Sequence, residues 1–188
     1  MKNLNRRAFG AAVVAGLSLG TALVTPTVAS AADKAEIDAG ANASLQTLYS
    51  ENAAAKELSE KAAGILVFPS IKKAGLGIGG EVGSGVLRVN GITDGYYRTL
   101  GLSIGAQAGF QSYGYVLMFL TPDALTDFKG KRGYELGVDG SVAVIEAGAT
   151  VEVDTVSVKS DTVAFVFDEK GLMANASIEG SKISRLDD

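Results

Sequence analysis

Residues 64–89 read GILVFPSIKKAGLGIGGEVGSGVLRV, and this stretch decides the fold. It opens with a wholly apolar run, which predicts a short strand over 65–68 that stops at Pro69. Glycine then alternates with aliphatic residues, and strict alternation indicates a β-strand. Each glycine costs about 0.5–1 kcal/mol relative to alanine. The glycine face therefore predicts that another backbone or a helix approaches this strand closely.

The same stretch contains a GxGxxG string, formed by Gly75, Gly77 and Gly80, which is typical of dinucleotide-binding loops. Such a loop needs a strand directly before it and a helix that begins at its last glycine. Here residues 69–73 separate the first apolar run from the glycines, and residues 81–85 are a poor helix start. We interpret the string as part of a strand and predict that no nucleotide binds there.

Upstream of this stretch, residues 33–62 predict an amphipathic helix that packs on its own domain. Apolar residues recur there at spacings of three and four, and Gly40 is the one weak point at which the helix could break. Gly64 is interpreted as its C-cap. The alternative is a helix that lies on a membrane surface. Acidic side chains outnumber lysines in this segment, so we expect no attraction to anionic lipid.

Downstream, residues 100–110 alternate like a strand, and residues 113–120 are apolar on both faces, which predicts a covered central strand. Thr121-Pro122-Asp123 begins a short helix that runs to about Phe128. Further strands are predicted over 135–144, 149–158, 162–167 and 172–178, and the polar tail after Glu179 is predicted to be loosely held.

The predicted fold class is therefore α+β. It comprises an N-terminal amphipathic helix, one further short helix, and a glycine-rich, mostly antiparallel β-sheet or barrel-like sheet.

The N-terminus predicts a targeting segment. Lys2, Arg6 and Arg7 precede an apolar run over 8–24, and Ala29-Ser30-Ala31 supplies a cleavage site. We predict a signal peptide over 1–31, either a plain secretory signal or one of twin-arginine type. The remainder, 32–188, is predicted to form one domain that is exported to the periplasm or the extracellular space.

The composition excludes several kinds of function. The chain has no cysteine and no histidine, so it has no disulfide, thiolate nucleophile, zinc–thiolate site or histidine ligand. The carboxylates Glu81, Asp139 and Glu146 lie near strands without paired spacing, and we interpret them as solvated or edge-strand charges. We predict no enzyme activity, no catalytic residue, no metal site and no cofactor.

The net charge of the chain indicates which kinds of partner it can bind. Cleavage after Ala31 removes three of the 17 basic residues and none of the 21 acidic ones, which leaves a net charge of −7. Phosphate binding favours a basic face, so we predict that nucleic acid is not a partner.

Four blocks of the chain resemble the successive blocks of the SYLF domain family. They are AAGILVFPSIKKAGLGIGGEVGSGVL (62–87), GLSIGAQAGFQSYGYVLMFLTPDALTDF (101–128), ELGVDGSVAVIEAGA (135–149) and AFVFDEKGLMANASIEGSKI (164–183). The resemblance is to exported bacterial members, related to eukaryotic members that bind actin and phosphoinositides. It implies a lipid- or membrane-binding module without catalytic residues. In the eukaryotic relatives lipid binding is tied largely to a basic N-terminal segment, whereas the matching segment here is acidic.

If the chain binds lipid, two basic groups are the candidate headgroup contacts. Lys72 and Lys73 follow the end of the first predicted strand, and Lys129, Lys131 and Arg132 follow the predicted short helix. Four tyrosines either lie at an interface or, as we favour, belong to the sheet and core: Tyr96, Tyr97, Tyr113 and Tyr115.

Two functional hypotheses remain. The first is a non-enzymatic module of the bacterial cell envelope that binds phospholipid or a membrane surface. The alternative is a structural or protein-interaction domain of the periplasm with an envelope protein as partner and no lipid ligand.

Overall fold

The structure, a computed structural model, describes residues 31–149, 153, 160–167, 178 and 180–186. Its helices are α1 (Ala31–Glu51), α2 (Ala53–Lys61) and α3 (Pro122–Gly130). Its strands are β1 (Gly64–Val89), β2 (Ile92–Phe119), β3 (Tyr134–Glu135), β4 (Val142–Glu146), β5 (Thr162–Phe167) and β6 (Lys182–Arg185). These helices and one mostly antiparallel sheet confirm the predicted α+β class.

Strand β2 is the centre of the sheet. It pairs along one edge with β1, to which it is joined by a tight turn at Asn90 and Gly91, both with positive φ. Along its other edge it pairs with β5 through residues 114–119 and with β6 through 97–100. Strand β6 also pairs with β3, and β4 lies parallel to β5. The prediction of a covered central strand over 113–120 is confirmed.

Strand β1 runs straight past Pro69, so the predicted strand end at this proline is wrong. The register of β1 against β2 shifts between Phe68 and Ile71, which is the pattern of a β-bulge. A bulge accepts proline because its extra residue does not need to donate to the ladder. Lys72 and Lys73 consequently lie inside β1 rather than in a turn after a strand.

The hairpin of β1 and β2 folds back on itself, and two glycines make this possible. A β-carbon at Gly85 would overlap the carbonyl oxygen of Val67. One at Gly83 would come within 2.6 Å of Cγ1 of Ile71. The close backbone approach predicted for the glycine face is therefore confirmed, and no helix begins at Gly80.

The sheet is covered on both faces. One core joins the two halves of the hairpin to α3 and the C-terminal strands; its buried members include Phe68, Tyr115, Phe119, Phe128, Leu87 and Leu117. The other core lies under α1 and α2; its buried members are Ala41, Leu45, Leu48, Ala55, Leu58, Val67, Val86, Val116, Met118, Ile145, Ala147, Val163 and Phe165. The N-terminal helical region therefore packs on its own domain, as predicted.

The N-terminal helix breaks at Asn52 rather than at Gly40. The Asn52 backbone is extended, and its Oδ1 accepts a hydrogen bond of 2.9 Å from the Ala55 N–H, which makes it the N-cap of α2. Its Nδ2 donates to the carbonyls of Ala147 and Ala149 at 2.9 and 3.0 Å. Asn52 thus joins the helix break to the turn that follows β4, and this partner is too distant in sequence for helical periodicity to reveal.

The two glycines that flank this region have packing roles. Gly40 stays helical and faces Pro69, where a β-carbon would lie only 3.1 Å from the proline ring. Gly64 is the first residue of β1 and not a C-cap, since the extended Ala62 ends α2. A β-carbon at Gly64 would come within 2.8 Å of the Leu125 side chain, so the absence of a side chain at residue 64 lets α3 pack closely against β1.

The C-terminal part differs from the prediction in two places. The strand predicted over 135–144 is split into β3 and β4 by a turn in which Gly137 has positive φ. The tail predicted to be loose contains β6, whose Ile183 is buried between β2 and β3. In contrast, the predicted short helix and the strand over 162–167 are confirmed as α3 and β5, and Thr121 caps α3.

Three predicted segments lie outside the described residues, apart from 31, 149, 153 and 178. They are the signal peptide over 1–31 and the strands over 149–158 and 172–178. Val153 and Ile178 are helical, so the strand predictions are wrong at these two residues, and the predictions for the residues that are not described stay untested. None of the described helices is long and apolar enough to cross a membrane.

Candidate functional site

The outer face of the hairpin exposes three large aliphatic side chains next to one another. Val82 and Leu100 are cross-strand partners, and they are 45% and 51% exposed. Leu102, which pairs with Gly80, is 84% exposed. Grouped apolar exposure of this kind marks interaction surfaces, whereas single exposed apolar residues do not. Val82, Leu100 and Leu102 form what we call the outer patch.

The opposite face of the same segment is polar and buried. Glu81 is 4% exposed and Thr99 is fully buried, although each is next in sequence to a member of the outer patch. Successive residues of a strand point to opposite faces. Around these residues the hairpin therefore has two polar side chains inside and an apolar patch outside, which reverses the usual arrangement locally and makes the outer patch the strongest candidate for a functional surface.

Buried hydrogen bonds stabilise this inverted arrangement. Ser181 Oγ donates to Glu81 Oε1 at 2.8 Å, and the Tyr115 hydroxyl donates to Thr99 Oγ1 at 3.2 Å. Burial raises the pKa of Tyr115 well above its ordinary value, so this hydroxyl remains a donor. The interpretation of Glu81 as a solvated or edge-strand charge is thus wrong. Gly101 makes room for it, because a β-carbon there would come within 2.5 Å of Glu81 Oε1.

A groove of about 670 Å³ lies between α1 and the hairpin and adjoins the outer patch. We call it the α1 groove. Val82 belongs to both the groove and the patch, so the two surfaces are continuous. The groove is lined by Asp33, Glu36, Ile37, Gly40 and Ser44 from α1 and by Pro69, Ser70, Lys72, Val82, Gly83 and Ser84 from β1.

The first predicted basic pair is divided between two environments. Lys72 is exposed, lines the α1 groove and forms no ion pair with any described residue. Lys73 is half-buried, and its ammonium lies 5.9 Å from the centre of the Tyr113 ring. As consecutive strand residues they point to opposite faces. Of the two, Lys72 alone lines the groove.

The second predicted basic group is largely neutralised. Lys129 Nζ lies 2.7 Å from Asp94 Oδ1, and Lys131 Nζ lies 2.8 Å from Asp139 Oδ1. The hydrogen bond between the latter two raises the pKa of Lys131 and lowers that of Asp139. Arg132 is exposed and forms no ion pair within the described part of the chain. Two of the three positive charges are thus paired with carboxylates of the same chain. The lipid-contact role of all three residues stays a prediction.

The tyrosines belong to the sheet and core, as favoured from the sequence. Tyr97, Tyr113 and Tyr115 are buried, and Tyr96 donates a hydrogen bond of 2.7 Å to Asp38 Oδ2 on α1. Among the described residues no group of three acidic side chains is placed to hold a metal ion.

Comparison with known families gives one match. Residues 100–188 match the family model described as Ysc84, Las17-binding protein actin regulator, which is the SYLF domain family. This match spans slightly less than half of the chain, and it supports the resemblance to the SYLF domain family. No match was found among curated proteins. The SYLF region contains Leu100 and Leu102 of the outer patch, whereas Lys72 and α1 precede it. The family description names a binding protein, which agrees with the prediction of a binding module.

Proposed function

We propose that this chain is a non-enzymatic module of the bacterial cell envelope that binds phospholipid membranes through its outer patch. The observation that carries the proposal is the inverted hairpin, with Glu81 and Thr99 buried behind exposed Leu100 and Leu102. A domain that folds for itself alone gains nothing from this inversion. A surface that enters the headgroup and acyl boundary of a bilayer does, because its apolar side chains leave water there.

The size of the patch suits reversible attachment. Complete burial of a leucine side chain contributes about 1.5–3 kcal/mol. Two leucines and a half-exposed valine therefore supply several kcal/mol, which is in the range of weak, reversible membrane binding rather than permanent anchoring.

Electrostatics support an apolar mode of attachment. The chain has a net charge of −4 including the predicted signal peptide. Of the predicted basic contacts, Lys129 and Lys131 are paired with carboxylates. Attraction between a basic surface and anionic lipid weakens with salt, whereas apolar contact does not. We expect vesicle binding that persists at high salt.

The experiment is vesicle co-sedimentation of the full mature chain. The double variant Leu100→Ser/Leu102→Ser should lower the binding constant at least about tenfold, since it removes more than 1.4 kcal/mol of apolar contact. Val138→Ser is the matched control, because Val138 is 72% exposed but lies outside the patch. Unchanged binding of a double variant that keeps its circular dichroism spectrum would contradict the proposal.

The second candidate is a protein-interaction domain of the envelope without a lipid ligand. The description of the family as Las17-binding favours it, since this names a protein partner for family members. It predicts no vesicle binding at all, and capture of a defined envelope protein that the same double variant abolishes.

A further inference from the structure

We infer that the α1 groove selects phospholipids whose headgroup carries a primary ammonium, as ethanolamine lipids do. This inference rests on the proposed function, because the outer patch brings the groove to the membrane. It concerns a different quantity, namely preference among headgroups rather than attachment itself.

The charges of the groove are of both signs and lie on opposite walls. Lys72 stands on β1 and Glu36 on α1, and neither forms an ion pair with a described residue. Asp33 adds a second carboxylate to the α1 wall. A zwitterionic headgroup presents a phosphate and an ammonium a few bonds apart. It matches both walls at once, whereas a purely anionic headgroup meets the carboxylates of α1 unfavourably.

Hydroxyl groups reinforce the phosphate side. Ser112 is the cross-strand partner of Lys72, and its Oγ lies 3.0 Å from Ser70 Oγ. Ser70 also lines the groove, so the β1 wall carries a hydroxyl group as well as the lysine ammonium. Charge-assisted and neutral donors together are the usual partners of a phosphate oxygen.

The ammonium side distinguishes ethanolamine from choline. A primary ammonium donates N–H hydrogen bonds, which carboxylates such as Glu36 accept. A quaternary ammonium has no N–H and is recognised by aromatic cages. No aromatic residue is among the described residues that line the groove. The groove is therefore built for a primary ammonium.

The groove also adjoins the membrane contact. Val82 lines the groove and belongs to the outer patch, so a lipid whose headgroup occupies the groove has its acyl chains directed along the patch. One lipid would thus engage both surfaces.

The test compares vesicles of phosphatidylcholine alone with vesicles in which part of it is replaced by phosphatidylethanolamine or by phosphatidylglycerol. We expect phosphatidylethanolamine to raise binding of the wild-type chain about threefold to tenfold. Glu36→Gln should abolish this rise. Glu60→Gln, which removes an exposed charge from α2 outside the groove, is the matched control and should keep the rise.

Soluble glycerophosphoethanolamine gives a readout that does not depend on lipid packing. It should compete with phosphatidylethanolamine vesicles for the wild-type chain but have no effect on the residual binding of Glu36→Gln. Equal binding to all three vesicles, lost only in Leu100→Ser/Leu102→Ser, would overturn the headgroup preference and leave the proposed function standing. A preference for phosphatidylglycerol that Lys72→Gln removes would also overturn it. Absence of binding to every vesicle would overturn both.

Discussion

Gly85 lies directly against the carbonyl oxygen of Val67, with no room for a β-carbon between them. Both residues belong to β1, so the contact joins the two halves of one strand. It turns the hairpin back over its own core, and the polar face of the hairpin is thereby buried on Tyr115 and Ser181. The same fold-back leaves the outer patch facing away from the core.

Substitution of Gly85 by alanine should therefore damage the fold. The added methyl overlaps backbone atoms that cannot rotate away, so we expect the free energy of unfolding to fall by about 1–3 kcal/mol or more. Chemical denaturation measures this change. Gly80→Ala is the matched control, because a β-carbon there meets only the Gly101 carbonyl oxygen at 3.9 Å. It should be neutral or stabilising by up to about 1 kcal/mol; equal losses in both variants would contradict the close-approach argument.

Asn52→Ala should destabilise the chain more than an ordinary cap deletion does. The change removes the cap of α2 and leaves two carbonyls in the turn after β4 without their amide donor. We expect a loss of about 2–3 kcal/mol, measured by thermal or urea unfolding. Thr121→Ala removes the cap of α3 alone and should cost only about 1 kcal/mol. Similar losses in the two variants would indicate that the bonds to Ala147 and Ala149 contribute nothing.

Ser181→Ala should lower the free energy of unfolding, because it removes the hydroxyl that donates to the buried Glu81 side chain behind the outer patch. The serine hydroxyl is a donor to the buried Glu81, and removal of one partner of a buried hydrogen bond costs about 1–3 kcal/mol. We expect a loss of that size in the free energy of unfolding. Ser184→Ala in β6, which begins directly after Ser181, is the control, since Ser184 makes no side-chain hydrogen bond to a described residue. Its loss should be within about 0.5 kcal/mol of zero.

The ion pair of Lys131 with Asp139 should give a defined pH dependence. The pKa of Asp139 lies below its ordinary 3.8, so its stabilising contribution is present above that pH and is lost as the pH falls through the folded value. The pKa of Lys131 lies above its ordinary 10.5, so the contribution is present below pH 10.5 and is lost as the pH rises through the higher pKa of the folded state. Asp139→Asn should lower the Tm at neutral pH and have progressively less effect in acid.

A double-mutant cycle checks that assignment. Lys131→Gln should lower the Tm in the same pH window, and the double variant should be no less stable than the worse single variant. Additive losses at neutral pH would show that the two groups act independently.

The sequence predicted the class and the central strand because both depend on local periodicity. Alternation identified β1 and β2, and the glycine face indicated the close approach that Gly83 and Gly85 make. The break at Asn52 and the passage of β1 through Pro69 were missed, since both depend on partners far along the chain. Asn52 bonds to the end of β4, and Pro69 is accommodated at a bulge against β2.

The functional surface was harder to predict than the fold. Alternation identifies two faces of a strand but does not show which one is buried. Glu81 on the opposite face was the available signal, and it was interpreted as a solvated or edge-strand charge. Charge alone drew attention to Lys129 and Lys131, whose carboxylate partners Asp94 and Asp139 become visible only in the folded chain.

Strand β6 has a consequence for the order in which the sheet forms. It fills the place between β3 and residues 97–100 of β2, yet it follows every other described strand along the chain. Pairing of Thr99 with Ile183 requires closure of a long loop, and such non-local pairings form slowly. During synthesis residues 97–100 of β2 therefore have an unpaired edge until residues 182–185 have been made. In that interval the chain is most prone to aggregate or to need a chaperone.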